Sequence, residues 1–279
     1  MTYKTILVHL DDEKRAHEIL AAACILAKRY DAHLVGSFVL PGLDIAPAFG
    51  FYIPTEVLEV HRNNCLKIGE NLKAQFEKAS SDAGIAAEFR MLDAEGRAES
   101  APVIEHSRMA DLIVMGQTDV AADGPIAREI RERVLMESGR PVLLIPYAGK
   151  FETIGSNVLV AWNSRREATR AVFDALPLLK EAENVRLHWV NASNEDGAVE
   201  LPGAEMAATL ARHGVKITAE GGIATEISVA DEVLARVSDF GCDLLVMGGY
   251  GHSRTRELVF GGVTRSIFEH MTVPVLMSH

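Results

Sequence analysis

The strongest constraint on this 279-residue chain is that it repeats itself. Asp111-Leu112-Ile113-Val114-Met115-Gly116 returns as Asp243-Leu244-Leu245-Val246-Met247-Gly248, 132 positions on. Arg140-Pro141-Val142-Leu143-Leu144-Ile145 returns as Val273-Pro274-Val275-Leu276-Met277-Ser278 at an offset of 133, and Thr5-Ile6-Leu7-Val8-His9-Leu10-Asp11 matches Asn157-Val158-Leu159-Val160-Ala161-Trp162-Asn163 at 152. A missed repeat misassigns a whole fold, so one architecture has to serve both copies. The change of offset gives the first copy about twenty extra residues. They are expected around Pro41 to Pro54, where glycine and proline punctuation and Phe49, Phe51 and Tyr52 read as a long loop.

Short apolar runs alternate with longer helical patterns in each copy. In the second, strands are expected at Val158–Trp162, Val185–Val190, Val215–Ala219, Asp243–Gly248 and Pro274–Met277. Helices are expected at Arg165–Lys180, Ala204–His213 and Ser228–Phe240. Strands apolar on both faces and separated by helices require a parallel sheet covered on both sides. The chain is thus expected to be α/β: two tandem doubly wound domains, 1–147 and 154–279, with a seam at Ala148–Ser156. Ligands of such sheets bind outside the carboxyl ends of the strands, where strand order reverses.

Lys and Arg total 28 against 39 Asp and Glu, a net charge of −11, which repels a phosphate backbone and argues against nucleic-acid partners. No apolar window reaches the ~18 residues of a membrane span, and the N-terminus runs straight into a strand-like segment, so no membrane partner and a cytoplasmic setting are expected. Cys24, Cys65 and Cys242 lie far apart without C-x-x-C spacing and read as reduced, structural thiols.

The chemistry concentrates after the fourth strand of the second copy. That stretch reads Gly248-Gly249-Tyr250-Gly251, then His252 to Phe260, then Gly261-Gly262-Val263-Thr264-Arg265-Ser266. Glycines let the backbone fold closely around an anion, and a helix starting near Gly262 or Val263 would turn its free amides and positive dipole end to the same space. Thr264 and Ser266 offer hydroxyls to phosphate oxygens or a bound Mg²⁺, and Arg254, Arg256 and Arg265 offer charge. The spacing is neither Walker A nor the G-x-G-x-x-G of a dinucleotide fold.

Gly248, Gly251 and Gly261, directly after a strand ending Met-Gly, resemble the Gly-x-x-Gly, nine residues, Gly-Ser/Thr signature of the universal stress protein family, in its tandem form. The resemblance covers essentially the whole chain. It implies five parallel strands per domain, an adenine nucleotide alpha hydrolase-like fold, with the Pro-Val-Leu strands pairing the domains edge to edge as an intrachain pseudo-dimer; a further homodimer is open. It implies ATP, or AMP, with Mg. Ala161, Trp162 and Asn163 would lie against adenine and ribose, Val190 beneath the base, and Met247, Gly248, Gly251, His252, Arg254, Gly261, Gly262, Val263 and Thr264 around the phosphates. Two positions depart from the family: Asn163 stands where Asp is usual, and Gly262 where Ser or Thr is. In the first copy Gly116 matches Gly248, but Asp119 stands at the Gly251 position and, at the same offset, Glu129 and Ile130 at those of Gly261 and Gly262. That copy, which keeps Asp11, is expected to be architectural and to bind no ATP by this route.

Other constellations are weaker. His9 with Asp11 and Asp12 is not expected to bind metal, since strand alternation separates them. No Gly-x-Ser-x-Gly nucleophile turn exists. Ser253 and Thr255 could accept a phosphoryl group, or simply cap a turn. No residue is assigned a catalytic role. The leading function is a nucleotide-binding regulatory protein with slow hydrolysis at most, acting on an unknown protein partner. The alternatives are an adenylate-handling enzyme using His252, Glu257 or Asn163, and a non-nucleotide ligand-binding or scaffold module using the 41–54 loop.

Overall fold

In a computed structural model the described residues are 2–42, 54–118, 125–190, 203–222, 227–250 and 262–279. Half one runs β1 (Thr5–His9), α1 (Ala16–Tyr30), β2 (His33–Leu40), α2 (Thr55–Ala83), β3 (Ala87–Asp93), α3 (Ser100–Ser107), β4 (Leu112–Gly116), α4 (Pro125–Glu137) and β5 (Val142–Ile145). Half two runs β6 (Asn157–Ala161), α5 (Arg166–Asp174), α6 (Leu176–Glu181), β7 (Asn184–Val190), α7 (Ala204–Arg212), β8 (Ile217–Gly222), α8 (Val229–Asp239), β9 (Leu244–Gly248), α9 (Gly262–His270) and β10 (Val275–Ser278).

The strands form one sheet ordered β3-β2-β1-β4-β5-β10-β9-β6-β7-β8. Every pairing is parallel except at the centre, where β5 meets β10 antiparallel with Val275 opposite Leu144 and Met277 opposite Val142. Each half is a five-stranded parallel sheet, and the Pro-Val-Leu strands join them, as expected. Alternate residues feed two core layers: Ile6, Val8, Val158 and Val160 one face, Leu7 and Leu159 the other. In each half strand order reverses beside the first strand, between β1 and β4 and between β6 and β9.

The repeated Asp-Leu-Ile/Leu-Val-Met-Gly motif has a structural cause. The Asp111 carboxylate accepts the amides of Lys4 and Thr5, and that of Asp243 those of Gly155, Ser156 and Asn157. Each aspartate pins the start of the first strand beside the fourth.

Three expectations need correction. The extra residues of half one are not in the Pro41–Pro54 loop: α2 has 29 residues where α7 has 9, which accounts for the surplus, and the connections before the two helices are nearly equal in length. The helix expected over Arg165–Lys180 is two helices meeting at Ala175, because Pro177 has no amide to donate to the preceding turn. Finally, the buried positions of α4 (Arg131, Val134, Leu135) match in pattern those of α9 (Thr264, Ile267, Phe268) at an offset of 133. Arg128 and Glu129, rather than Glu129 and Ile130, therefore stand at the Gly261 and Gly262 positions.

Candidate functional site

The crevice between the ends of β6 and β9 collects most of the expected residues that are described. Ala161, Val190 and Val263 are half-buried and pack against the same core layer as the buried Met247, giving an apolar seat at the strand ends. Trp162 is placed in the other layer, 7% exposed. Asn163 is exposed, and its Oδ1 accepts the Arg165 amide at 3.1 Å while Ser164 between them is left-handed at φ 58°. That turn starts α5 directly behind β6.

Gly248 has no alternative. A Cβ there would lie 2.5 Å from the Ala168 amide nitrogen and 2.7 Å from the Glu167 carbonyl carbon, so the first turn of α5 presses on the end of β9. Gly262, the first residue of α9, is the opposite case, with no atom of the described residues given within 4 Å of its Cβ position. Thr264 is buried, and its hydroxyl accepts the Tyr250 amide at 3.1 Å. Arg265 is paired along its own helix with Glu269 at 2.9 Å. Gly251, His252, Arg254 and Gly261, with Ser253, Thr255, Arg256, Glu257 and Asp119, lie outside the described residues, as do Phe49, Phe51 and Tyr52.

The same crevice in half one is filled. Arg131, 1% exposed, donates through Nε to the Gly116 carbonyl (2.6 Å), through Nη1 to the Ala127 carbonyl (2.7 Å) and through Nη2 to Asp11 Oδ2 (2.6 Å). Its guanidinium bridges the end of β1 to the end of β4, across the point where strand order reverses. Arg15 repeats the bridge, binding Asp12 Oδ2 and the Gln117 carbonyl at 3.2 and 2.8 Å. Burial pushes the Asp11 carboxyl up, but Arg131, with help from His9 and Arg15, holds it below the ordinary aspartate value. His9 is buried against Ser37, and desolvation lowers its pKa to about 4, so it stays neutral beside this pair. Half two has Asn163 for Asp11, Glu167 for Arg15 and Thr264 for Arg131. Sequence reading missed Arg131; the signal was available, as an arginine at an apolar-face position of α4.

Cys24, Cys65 and Cys242 are free and buried, and among the described residues no cluster of His, Cys, Asp and Glu could hold a metal ion. Among those residues no helix is long and apolar enough to cross a membrane.

Residues 156–279 match the universal stress protein family model. Universal stress protein Slr1230 of Synechocystis is 30% identical over 173 residues, covering 60% of this chain and 57% of that relative's length. A universal stress protein from Archaeoglobus fulgidus DSM 4304 shares the fold over 98% of this chain and 94% of its own, with a TM-score of 0.72 and 19% identity. A functionally unknown protein from Pseudomonas aeruginosa PAO1 does so over 98% and 92%, with a TM-score of 0.59 and 14% identity.

Proposed function

We propose that the chain, whose residues 156–279 match the universal stress protein family model, is a regulatory protein that binds one adenine nucleotide, ATP or AMP, in half two. The observation that carries this reading is the contrast between the two crevices. At the same topological position half one holds a buried arginine across the strand ends, whereas half two holds the small neutral Asn163 and Thr264 and an apolar seat. The adenine would rest on Ala161, Val190, Met247 and Val263, and Asn163 would bond base or ribose. The α9 amides would take the phosphates, with Mg²⁺ screening their charge. Asn163 supplies the geometry of the family's aspartate without its charge.

Hydrolysis would be slow at most, and the nucleotide would act by changing the surface shown to a protein partner in the cytoplasm. Heat extraction of freshly purified protein, mass spectrometry of what is released, and titration of the stripped chain with Mg-ATP test this. One adenine nucleotide per chain, lost in Gly261→Glu, is expected. Neither release nor a titration signal from the native chain would overturn it. That outcome would favour a second reading, in which a ligand occupies the cavity of about 420 Å³ over the ends of β2 and β3, walled by Leu40, His61, Cys65, Arg97 and Glu99.

A further inference from the structure

One buried side chain of half two is left without partners. His188, on β7, is 2% exposed, and neither Nδ1 nor Nε2 of its ring has a hydrogen-bond partner. A buried polar group left unbonded costs stability, so an imidazole held in this way calls for a reason. Parallel pairing sets His188 beside Ala161 of β6 on one side and Glu220 of β8 on the other, and strand alternation puts it on the same face as Val190, two residues on. It therefore adjoins two of the four residues of the proposed adenine seat. The ring reaches toward the strand ends. A Cβ on Gly222, the last residue of β8 and the register partner of Val190, would lie 2.8 Å from His188 Cε1, 2.9 Å from its Nε2 and 2.8 Å from Glu232 Oε1. Imidazole and carboxylate together fill the space that a side chain there would need.

Two carboxylates are at hand. Glu232 of α8 is buried, and its Oε1 stands 3.7 Å from His188 Nε2, too far for a hydrogen bond, while Arg236 one turn on holds it at 2.9 Å. Glu220 Oε1 is buried without a hydrogen-bond partner, with Arg186 Nη1 3.9 Å away. Arg186, two residues before His188 on β7, lies over the Phe240 ring at 4.2 Å. The charges about the ring are thus Glu220 from β8, Glu232 and Arg236 from α8, and Arg186 from its own strand, while β6 contributes the uncharged Ala161. A neutral imidazole has one N–H to give and an imidazolium has two, so the charged ring is matched by two carboxylates that the neutral ring leaves unused. Burial lowers the His188 pKa below the ordinary histidine value against the opposing pull of Glu220 and Glu232, with Arg236 acting alongside burial, and at neutral pH the ring is uncharged.

We propose that His188 is a proton switch beside the nucleotide site of half two: when charged it closes on Glu232 and Glu220, clasping α8 to the ends of β7 and β8, and the positive charge it brings tightens the binding of an anionic nucleotide. This rests on the nucleotide reading above and deepens it by assigning a regulation of that site. Bringing Nε2 within hydrogen-bond reach of Glu232 takes a movement of about 1 Å or less. By linkage, a proton that favours the nucleotide is favoured by it to the same factor. Without nucleotide the folded pKa lies below the unfolded one, so the stability due to the neutral ring is whole above about pH 6.5 and is lost as the pH falls from there toward the folded value.

The test follows the His188 ring by nuclear magnetic resonance from about pH 8 to about pH 5 in the full chain and in Glu232→Gln and Glu220→Gln, with and without Mg-ATP. Mg-ATP affinity is read over the same range in the native chain and in His188→Gln, and melting temperatures check folding. The ring is expected to take up its proton below about pH 6.5, each glutamine variant to lower that midpoint further, and Mg-ATP to raise it in the native chain. Native affinity should gain about threefold more on acidification than that of His188→Gln, in which the ligand's own titration is retained. A ring that stays neutral until the chain unfolds, or whose midpoint is untouched in both glutamine variants, overturns the switch. Equal pH dependence of affinity in the native and His188→Gln chains overturns its coupling to the site. A chain that takes up no nucleotide at any pH overturns the nucleotide reading and the coupling with it, while the titration of the ring still decides whether the clasp exists.

Discussion

At the scale of single residues, what separates the two halves is where charge is spent. Asp11 and Asn163 occupy equivalent positions, and so do Arg131 and Thr264, so each half carries a matched pair: an ion pair in one, two neutral side chains in the other. Arg131 is 1% exposed, and a cation so buried is tolerable only with its carboxylate and carbonyl partners in place. Asp11→Asn should cost about 3–5 kcal/mol in urea unfolding at neutral pH by leaving that cation uncompensated. Asp11→Asn combined with Arg131→Thr, the pair half two carries, should recover much of the loss, giving a large coupling in a double-mutant cycle. Equal losses that simply add would show that the two do not act as a pair. The sign of the pH dependence follows. The Asp11 carboxyl sits below its unfolded value when folded, so its contribution is complete at neutral pH and is lost as the pH falls through the folded value. The double variant should lack this acid sensitivity.

Among the elements, the two glycines that bracket the site behave oppositely. Gly248→Ala puts a methyl against the backbone of α5, which cannot yield as a flexible side chain would, and should destabilise the chain by about 1–3 kcal/mol while displacing the seat. Gly262→Ala meets no atom given for the described residues within 4 Å and should leave the melting temperature unchanged or raised. Gly262→Ser restores the family's hydroxyl and should tighten Mg-ATP binding in the same titration. A destabilised Gly262→Ala, or a harmless Gly248→Ala, would contradict this account. Much of this level was legible in the sequence. The repeated Asp-Leu-Ile/Leu-Val-Met-Gly run located β4 and β9, and the other repeated apolar runs located β1, β5, β6 and β10, because a strand buried on both faces has few polar residues to hide it. Less legible was anything set by distant contacts. The surplus of half one lies in α2, whose first turns are exposed, Val57, Leu58 and Val60 included, while the aromatic stretch before it drew attention as an insertion. The role of Arg131 stayed hidden for a related reason: it joins residues more than a hundred positions apart, and neither motif nor periodicity reports which charged side chain has turned inward.

For the whole molecule, the antiparallel pairing of β5 with β10 has two consequences. It uses up, within the chain, the edge through which two separate copies of such a domain would otherwise pair, leaving β3 and β8 as the outer edges of the sheet; any homodimer would need another surface. It also makes the core layers continuous across the centre, where Leu143 and Leu276 sit in one layer and Leu144 and Val275 in the other. Further ties cross the same boundary: the Tyr3 hydroxyl donates to the Asp174 carbonyl at 2.6 Å, Arg29 to that of Ile154 at 2.7 Å, and Gln117 to that of Phe268 at 2.9 Å. Two halves joined through shared core layers should not unfold separately, whereas two joined by a linker should. The chain carries its own reporter, because both of its tryptophans, Trp162 and Trp189, lie in half two and are buried in one core layer. Tryptophan fluorescence follows that half alone, while far-ultraviolet circular dichroism follows all the helices. Urea unfolding read by the two should give coincident midpoints. Gln117→Ala, which strips partners from the Phe268 carbonyl in one half and the Tyr147 amide in the other, should move both curves together toward lower urea. A fluorescence transition displaced from the dichroism transition would mean that half two melts on its own, and a half that melts alone does not depend on half one to stay folded.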